Sequence, residues 1–280
     1  TTLQQLNVPP AMRVRQLNLA LERLRWTPLP ENRRHLEVNI PEFMLRAHDF
    51  RDGTRLEVLK MRVIVGKVGK TATPRFYTEM RTVEFSPNWN VPPSIAKGET
   101  LPRLRRDPGY LQRAGMQLVA ADGSIAEYSA ISLDAVERGH LRLRQKPGRG
   151  NALGQIKFIL PNTDGIYLHH TPTPQLFRRE RRDFSHGCVR VEMPVDLAAF
   201  VLADQPAWTR QRIVQAMEKG RSSFVTLPEG LPVVISYETV VFRHGRLYFF
   251  PDIYEQDKIL ELALQKRALH SQAAVNRQSD

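Results

Sequence analysis

The sequence predicts a mainly β fold: a β-rich α+β domain with a few peripheral helices. Three observations predict it. From residue 35 onward apolar residues recur at every second position, as in half-buried strands. Tight hairpin turns, Asp52-Gly53 and His244-Gly245, punctuate those runs. Helical periodicity is limited to a leading segment and a few stretches in the last third of the chain. With 280 residues, 41% of them hydrophobic and 25% charged, the chain can bury a sizeable core and is not disordered.

In chain order, residues 9 to 26 read as a helix. Pro9 and Pro10 open it, and Val14, Leu17, Leu21 and Leu24 form an apolar stripe that must pack on something. Residues 1–34 are therefore a leading helix and linker, the remnant of an upstream domain. Leu36, Val38 and Ile40 alternate as a strand. Phe43 to Phe50, Leu56 to Val65 and Phe76 to Phe85 continue as a β-meander. Residues 86–155 break the pattern. Ser86 to Pro93 is turn-rich, arginine-rich stretches flank a short strand at Met116 to Ala120, and Lys146 to Gly154 is a Gly/Pro loop. This segment reads as an insertion folded over the sheet as a lid.

Strands resume at Ile156 to Leu160 and Ile166 to His170. Helices follow at Pro194 to Leu202 and Trp208 to Lys219. Val225 to Leu227, Val233 to Phe242 and Leu247 to Phe250 are further strands. A last helix covers 257–269, and 270–280 is a polar, flexible tail.

Composition excludes several classes. A single cysteine leaves no internal disulfide framework and no multi-cysteine zinc ribbon. No apolar stretch reaches the ~18 residues of a membrane span, and Thr1 to Pro10 lacks the pattern of a signal peptide. The net charge of +12 favours an anionic polymer or surface. Nucleic acid is not the expected partner, because the chain carries no finger, RNP-like strand or basic zipper.

The chemistry concentrates in Ile166-Tyr167-Leu168-His169-His170-Thr171 and Ser185-His186-Gly187-Cys188-Val189-Arg190. A nucleophilic thiol needs a base within hydrogen-bond reach and a group to orient that base. On a strand, His169 and His170 point to opposite sides, so only one can face Cys188. Gly187 lets backbone approach a substrate carbonyl, and its N–H and that of Cys188 can stabilise an oxyanion. Arg190 shares a face with Cys188 and suits a substrate carboxylate. Nearby arginines should depress the thiol pKa. Two rival readings stay open at this point: an inert buried cysteine, and a zinc site from His169, His170, His186 and Cys188, which a regular strand and the lack of a nearby carboxylate disfavour. No metal or cofactor is expected.

These residues resemble the YkuD-type L,D-transpeptidases, whose hallmark is a His and then [S/T]-H-G-C some eighteen residues on. Here Ser185-His186-Gly187-Cys188 matches the motif, with His169 ahead of it. Leu36 to Gly66, Arg144 to Gly148, Asn151 to Gly154 and Asp252-Ile253-Tyr254 are similar to other stretches of the family. The insertion and leading helix resemble the large Gram-negative YcbB-type (LdtD-like) members. Thr73-Pro74-Arg75-Phe76 stands where the family carries T-P-x-G.

The resemblance implies a β-sandwich or barrel catalytic domain over 35–269, with 86–155 as its capping region. It implies an acyltransferase forming 3-3 diaminopimelate cross-links in peptidoglycan through a Cys188 thioester, releasing D-Ala. Carbapenems would acylate the same thiol. His169 would be the base, oriented by the carbonyl of His170, and His186, Gly187 and Cys188 would form the oxyanion region. Tyr167, Ser185, His186 and Arg190 would lie on the substrate side. Expected partners are stem peptides, as tetrapeptide donor and diaminopimelate acceptor, and other cell-wall synthesis enzymes. The expected location is the periplasm of a Gram-negative bacterium. A single unpaired cysteine in that oxidising compartment argues for a functional thiol. The alternatives are a sortase-like cysteine acyl transferase and a non-catalytic basic wall-binding module.

Overall fold

The computed structural model describes residues 7–28 and 30–278. The alternation beginning at residue 35 becomes β1 (His35–Asn39), β2 (Met44–Arg51) and β3 (Thr54–Gly66), paired as antiparallel neighbours. Asp52 and Gly53, between β2 and β3, both have positive φ (50° and 73°), the backbone a tight primed turn requires.

β4 (Phe76–Phe85) departs from the expected meander. It pairs with β9 (Ile156–Ile159) on one side and β13 (Ser223–Ser236) on the other, not with β3. The reason is closure. Sheet order runs β11 (Asp183–Ser185), β3, β12 (Val189–Val191), β10 (Leu168–His169), β9, β4, β13, β1, β2, and β2 pairs again with β3. The ring is a barrel, with β11 attached to the end of β3. Three contacts are parallel, β1–β13, β10–β12 and β11–β3; the others are antiparallel. β13 is one strand rather than two, because a register shift between Thr226 and Leu231 absorbs Pro228 to Gly230.

The barrel interior is filled by alternate side chains, among them Leu36, Val38, Leu45, Val63, Val233 and Phe158, all at 0% exposure.

The insertion builds a second, smaller unit. β5 (Trp89–Asn90), β6 (Met116–Val119), β7 (Ile125–Ala126) and β8 (Arg142–Gln145) form a sheet of order β5-β8-β6-β7. Around it lie α2 (Pro93–Ile95), a π-helical turn Ala96–Thr100, α3 (Leu101–Arg106), α4 (Tyr110–Arg113) and α5 (Ala130–Arg138). Leu101, Leu104, Leu118, Leu133, Val136 and Leu143 form its own core. α5 is well punctuated, with a Ser129 capping box and Gly139 at φ 83°.

The remaining elements sit outside the barrel: α1 (Pro10–Leu24), α6 (Pro194–Val201), α7 (Arg210–Glu218), the hairpin β14 (Val240–Arg243) and β15 (Arg246–Phe249), and α8 (Gln256–Gln278). α1 begins after Pro9 as expected but packs by another face. Leu19, Ala20 and Arg23 are buried, whereas Val14, Leu21 and Leu24 are exposed. Buried charge sets that orientation: Arg23 Nη2 meets Asp257 Oδ1 of α8 at 2.5 Å, and Thr239 Oγ1 donates to Asp257 Oδ2 at 2.8 Å. α8 continues past the expected end at 269, so the segment expected to be a flexible tail is helical through Gln278, and residues 279–280 lie outside the described residues. Among the described residues no helix is long and apolar enough to cross a membrane.

Candidate active site

β-sheet register assembles the site. Phe224, Glu84, Lys157, His169 and Arg190 pair in succession across β13, β4, β9, β10 and β12. Directly paired residues share a sheet face, so these five form one row. The next row on the same strands, Val83, Phe158, Leu168 and Val189, is fully buried in the barrel. Strand alternation thus places an apolar row inside and a row of four polar residues and Phe224 outside. All five members of this outer row line a cleft of ≈ 1250 Å³.

Cys188 immediately precedes β12 and opens into the same cleft, half-buried. Its Sγ–H points to the Gly165 carbonyl at 3.8 Å, and Tyr167 lines the cleft beside it. Burial pushes the thiol up, outweighing the opposing pull of Tyr167, Lys157 and Arg190. This corrects the expectation that cationic neighbours depress it: they are present, but desolvation is larger.

His169 is buried, at 4% exposure, and its Nδ1 lies 2.5 Å from the His170 carbonyl. That carbonyl only accepts, so Nδ1 carries the proton and Nε2 the lone pair. Burial first, and then the Arg190 charge, lower the imidazole pKa to about 3. The ring is neutral at physiological pH. Among the described residues the thiol's hydrogen bond goes to Gly165, not to this ring.

His170 contributes its backbone alone. Its ring packs over Gly154, where an added Cβ would come within 2.6 Å of it, and its Nδ1 accepts the Gln155 N–H at 3.3 Å.

The Ser185–Cys188 loop is held from within. Gly187 has φ 115°, and an added Cβ would meet Ile166 Cδ1 at 3.1 Å. Its N–H donates to Ser185 Oγ at 3.2 Å, and that hydroxyl donates to the Cys188 carbonyl at 2.5 Å. The Gly187 N–H, expected to serve an oxyanion, is engaged by Ser185 Oγ, and Ser185 lines the cleft while its hydroxyl also shapes the loop. His186 is exposed and its Nε2 lies 2.6 Å from Glu99 Oε1, on the π-helical turn of the insertion. Arg190 is part-buried, and its Nε has no partner among the described residues.

Sequence reasoning missed several contributors. Thr73 Oγ1 donates to the Gly187 carbonyl at 2.7 Å and accepts the Gly66 N–H at 2.8 Å, bracing the nucleophile loop from the barrel rim. Tyr254 Oη, from the C-terminal side, donates to the Gly66 carbonyl at 2.5 Å. Neither Arg75 nor Phe76 has positive φ, so the segment in place of T-P-x-G needs no glycine. Trp89, Glu99, Arg142 and Arg144 reach the cleft from the insertion. Lys157 and Glu84 had a legible signal: both occupy polar positions between buried strand residues.

Among the described residues no group of three or more His, Cys, Asp or Glu side chains is placed to hold a metal ion.

A thiol and a neutral, carbonyl-oriented imidazole thus share one cleft on the outer face of the barrel. The chain belongs to the YkuD family, the L,D-transpeptidase catalytic domain, which matches residues 33–235. It is 32% identical over 246 residues to the Haemophilus influenzae protein named Putative L,D-transpeptidase, covering 88% of this chain and 49% of that one. The chain thus spans about half the length of this curated relative. Among solved structures it is similar to L,D-transpeptidase 3 from Mycobacterium tuberculosis in complex with a faropenem-derived adduct (TM-score 0.32, 12% identity, 72% of this chain and 59% of that one). It is also similar to the catalytic domain of the E. faecium L,D-transpeptidase (TM-score 0.30, 13% identity, 73% and 98%).

Proposed function

We propose that the protein is a cysteine L,D-transpeptidase of the YcbB-like type that forms 3-3 cross-links between diaminopimelate residues of peptidoglycan. The observation that carries this reading is the shared cleft of Cys188, Tyr167, His169 and Arg190, with the His169 Nδ1 proton held by the His170 carbonyl. In the donor step the Cys188 sulfur attacks the diaminopimelate carbonyl of a tetrapeptide stem. Its proton passes to His169 Nε2. The Cys188 N–H and Tyr167 O–H are the candidate donors to the oxyanion, the Gly187 N–H being engaged. The carbon–nitrogen bond to D-Ala breaks, the amine leaves with the proton from His169, and a thioester remains. The acceptor's side-chain amine then attacks the thioester and gives its proton to His169, the sulfur leaves, and an amide cross-link forms.

The electrostatics favour concerted proton transfer. A neutral thiol and a weakly basic imidazole do not form an ion pair in advance. The ring gains basicity only as negative charge grows beside it. Arg190, without a partner at Nε, suits the free carboxylate of a stem peptide. The insertion covers the cleft with Trp89, Arg142 and Arg144 and limits water at the thioester. A +12 charge suits an acidic wall polymer in the periplasm.

Intact-mass measurement tests this. Wild type and Cys188→Ala are incubated with a diaminopimelate tetrapeptide muropeptide, and separately with a carbapenem. Adducts in wild type alone, with D-Ala released and a 3-3 dimer formed, support the reading. Absence of both adducts in folded protein sinks it and favours a wall-binding module. Acylation by an LPxTG-type sorting peptide instead favours the sortase-like alternative.

A further inference from the structure

The outer row contains a charge pair that the reaction as described leaves unused. Lys157 Nζ lies 3.9 Å from Glu84 Oε2, with side-chain exposures of 22% and 9%. Glu84 Oε1 accepts the Ser222 hydroxyl at 2.8 Å. Neither residue is needed to close the barrel: Val83 and Phe158, their neighbours in sequence, fill its interior. An ion pair so far removed from water is costly to maintain, and both members line the cleft.

The pair reaches the thiol through Tyr167. Lys157 Nζ sits 4.3 Å from the centre of the Tyr167 ring. His169 meets the same ring edge-on, with centroids 5.6 Å apart. Tyr167 lines the cleft together with Cys188 and Trp89, and its proximity to the sulfur opposes the rise that burial imposes on the thiol. A cation over a phenol ring draws electron density from its hydroxyl and strengthens it as a donor. Once the thiol loses its proton to become an acceptor, that donor is what the sulfur needs.

We propose that Lys157 is a positioning residue for the Cys188 thiolate, acting through Tyr167 and through its own charge, and that Glu84 tempers it by holding the ammonium back. The inference rests on Cys188 being the nucleophile, but not on which stem peptide it attacks.

The charges facing the sulfur come from several elements. Tyr167 and His169 come from β10 and the segment before it, Lys157 from β9, Glu84 from β4 and Arg190 from β12. Asp164 precedes Gly165, and Lys70 lies on the rim. From the insertion come Glu99, paired with His186, and the arginines of β8. Arg190 is the other nearby cation, so Lys157 supplies only part of the favourable field.

The test is the pH dependence of Cys188 alkylation by iodoacetamide, followed by intact mass with Cys188→Ala as blank. Removing the cation in Lys157→Met should raise the midpoint by about one pH unit, slowing alkylation at pH 7 roughly tenfold. Lys157→Arg keeps the charge and should return the rate to within about twofold of wild type. Glu84→Gln keeps the Ser222 contact but removes the opposing charge, so its midpoint should fall and its rate rise about two- to fivefold. A purely structural pair predicts slower alkylation, or none of these shifts, in all variants. An unchanged midpoint in folded Lys157→Met, or a Glu84→Gln midpoint moving upward, overturns the proposal. Should Lys157→Met not fold, the direction of the Glu84→Gln shift decides alone. The expected shifts without muropeptide turnover would support the pair while sinking the cross-linking reading.

Discussion

The two walls of the cleft are built differently. The barrel wall offers Glu84, Lys157, His169 and Arg190 from adjacent strands, each fixed by ladder register over a core with no exposure. The inserted wall offers Trp89, Glu99, Arg142 and Arg144 from short strands and a π-helical turn over a small separate core. A hydrogen bond between His186 Nε2 and Glu99 Oε1 clasps the inserted wall to the nucleophile loop. The difference teaches a division of labour. Groups that must be placed to a fraction of an ångström sit on long-range sheet pairings, which cannot shift without breaking the barrel. Under the proposed function, the groups that would meet the polymer from the other side sit on a smaller unit with a core of its own.

The sharpest way to break this division is at the chemistry itself. Cys188→Ala should abolish both muropeptide and carbapenem adducts, as read by intact mass. His169→Gln should slow acylation by about 10²–10⁴-fold, the usual worth of a positioned base, in single-turnover mass measurements. The pH behaviour of His169 adds a sign. Its folded pKa, about 3, lies below the ordinary 6.5. The unfolded chain therefore binds a proton that the folded protein refuses between those values. Stability from this group is fully present above pH 6.5 and is lost as pH falls toward 3, by up to about 1.4 kcal/mol per pH unit. Denaturant melts from pH 7 to 4 should be flatter for His169→Gln than for wild type. An acylation rate whose acidic limb sits at 6.5 would contradict the neutral, buried ring.

The inserted wall should yield a different kind of loss. Leu104 and Leu118 are fully buried in its core. Leu104→Ala should cost about 2–4 kcal/mol, concentrated in the insertion. Hydrogen exchange should rise across 93–143 and leave β9, β10 and β12 protected. Iodoacetamide should still alkylate Cys188 at the wild-type rate while muropeptide turnover falls. Equal loosening of both walls would show one cooperative unit and erase the comparison.

The same contrast governs what the sequence made legible. The barrel strands were readable because one face is buried, so Leu36, Val38 and Ile40 alternate with Glu37 and Asn39, and Ile156, Phe158 and Leu160 are buried at every second position. Their pairing was not readable. Nothing local says that β4 skips β3 to join β13, because closure is a long-range property. In the insertion only β6 was readable, as the short strand at Met116 to Ala120, and the other elements were hidden. Its strands are two to four residues long, and Pro93, which reads as part of a turn-rich break, begins a short helix. At the site, motif and alternation singled out Cys188 and His169, and the resemblance supplied the backbone role expected of His170. The hydrogen bonds of Ser185 and Gly187 were not readable, because they depend on the loop's own curl. Thr73 was missed because its partner Gly187 lies 114 residues away in sequence.

The smallest expected effect tests the clasp. His186 and Glu99 are both exposed, with side-chain exposures of 44% and 61%. An exposed pair contributes about 0.2–1 kcal/mol, the cost of its entropy and screening being nearly as large as its attraction. Glu99→Ala should therefore reduce muropeptide turnover by no more than about fivefold. It should act through the fraction of molecules with the insertion seated, raising KM and leaving the alkylation rate of Cys188 unchanged. Glu99→Gln, which keeps an acceptor for the His186 Nε2–H, should lie between wild type and Glu99→Ala. A change in alkylation rate in Glu99→Ala would mean that the inserted wall reaches the sulfur itself, and the division between the two walls would fail at its weakest joint.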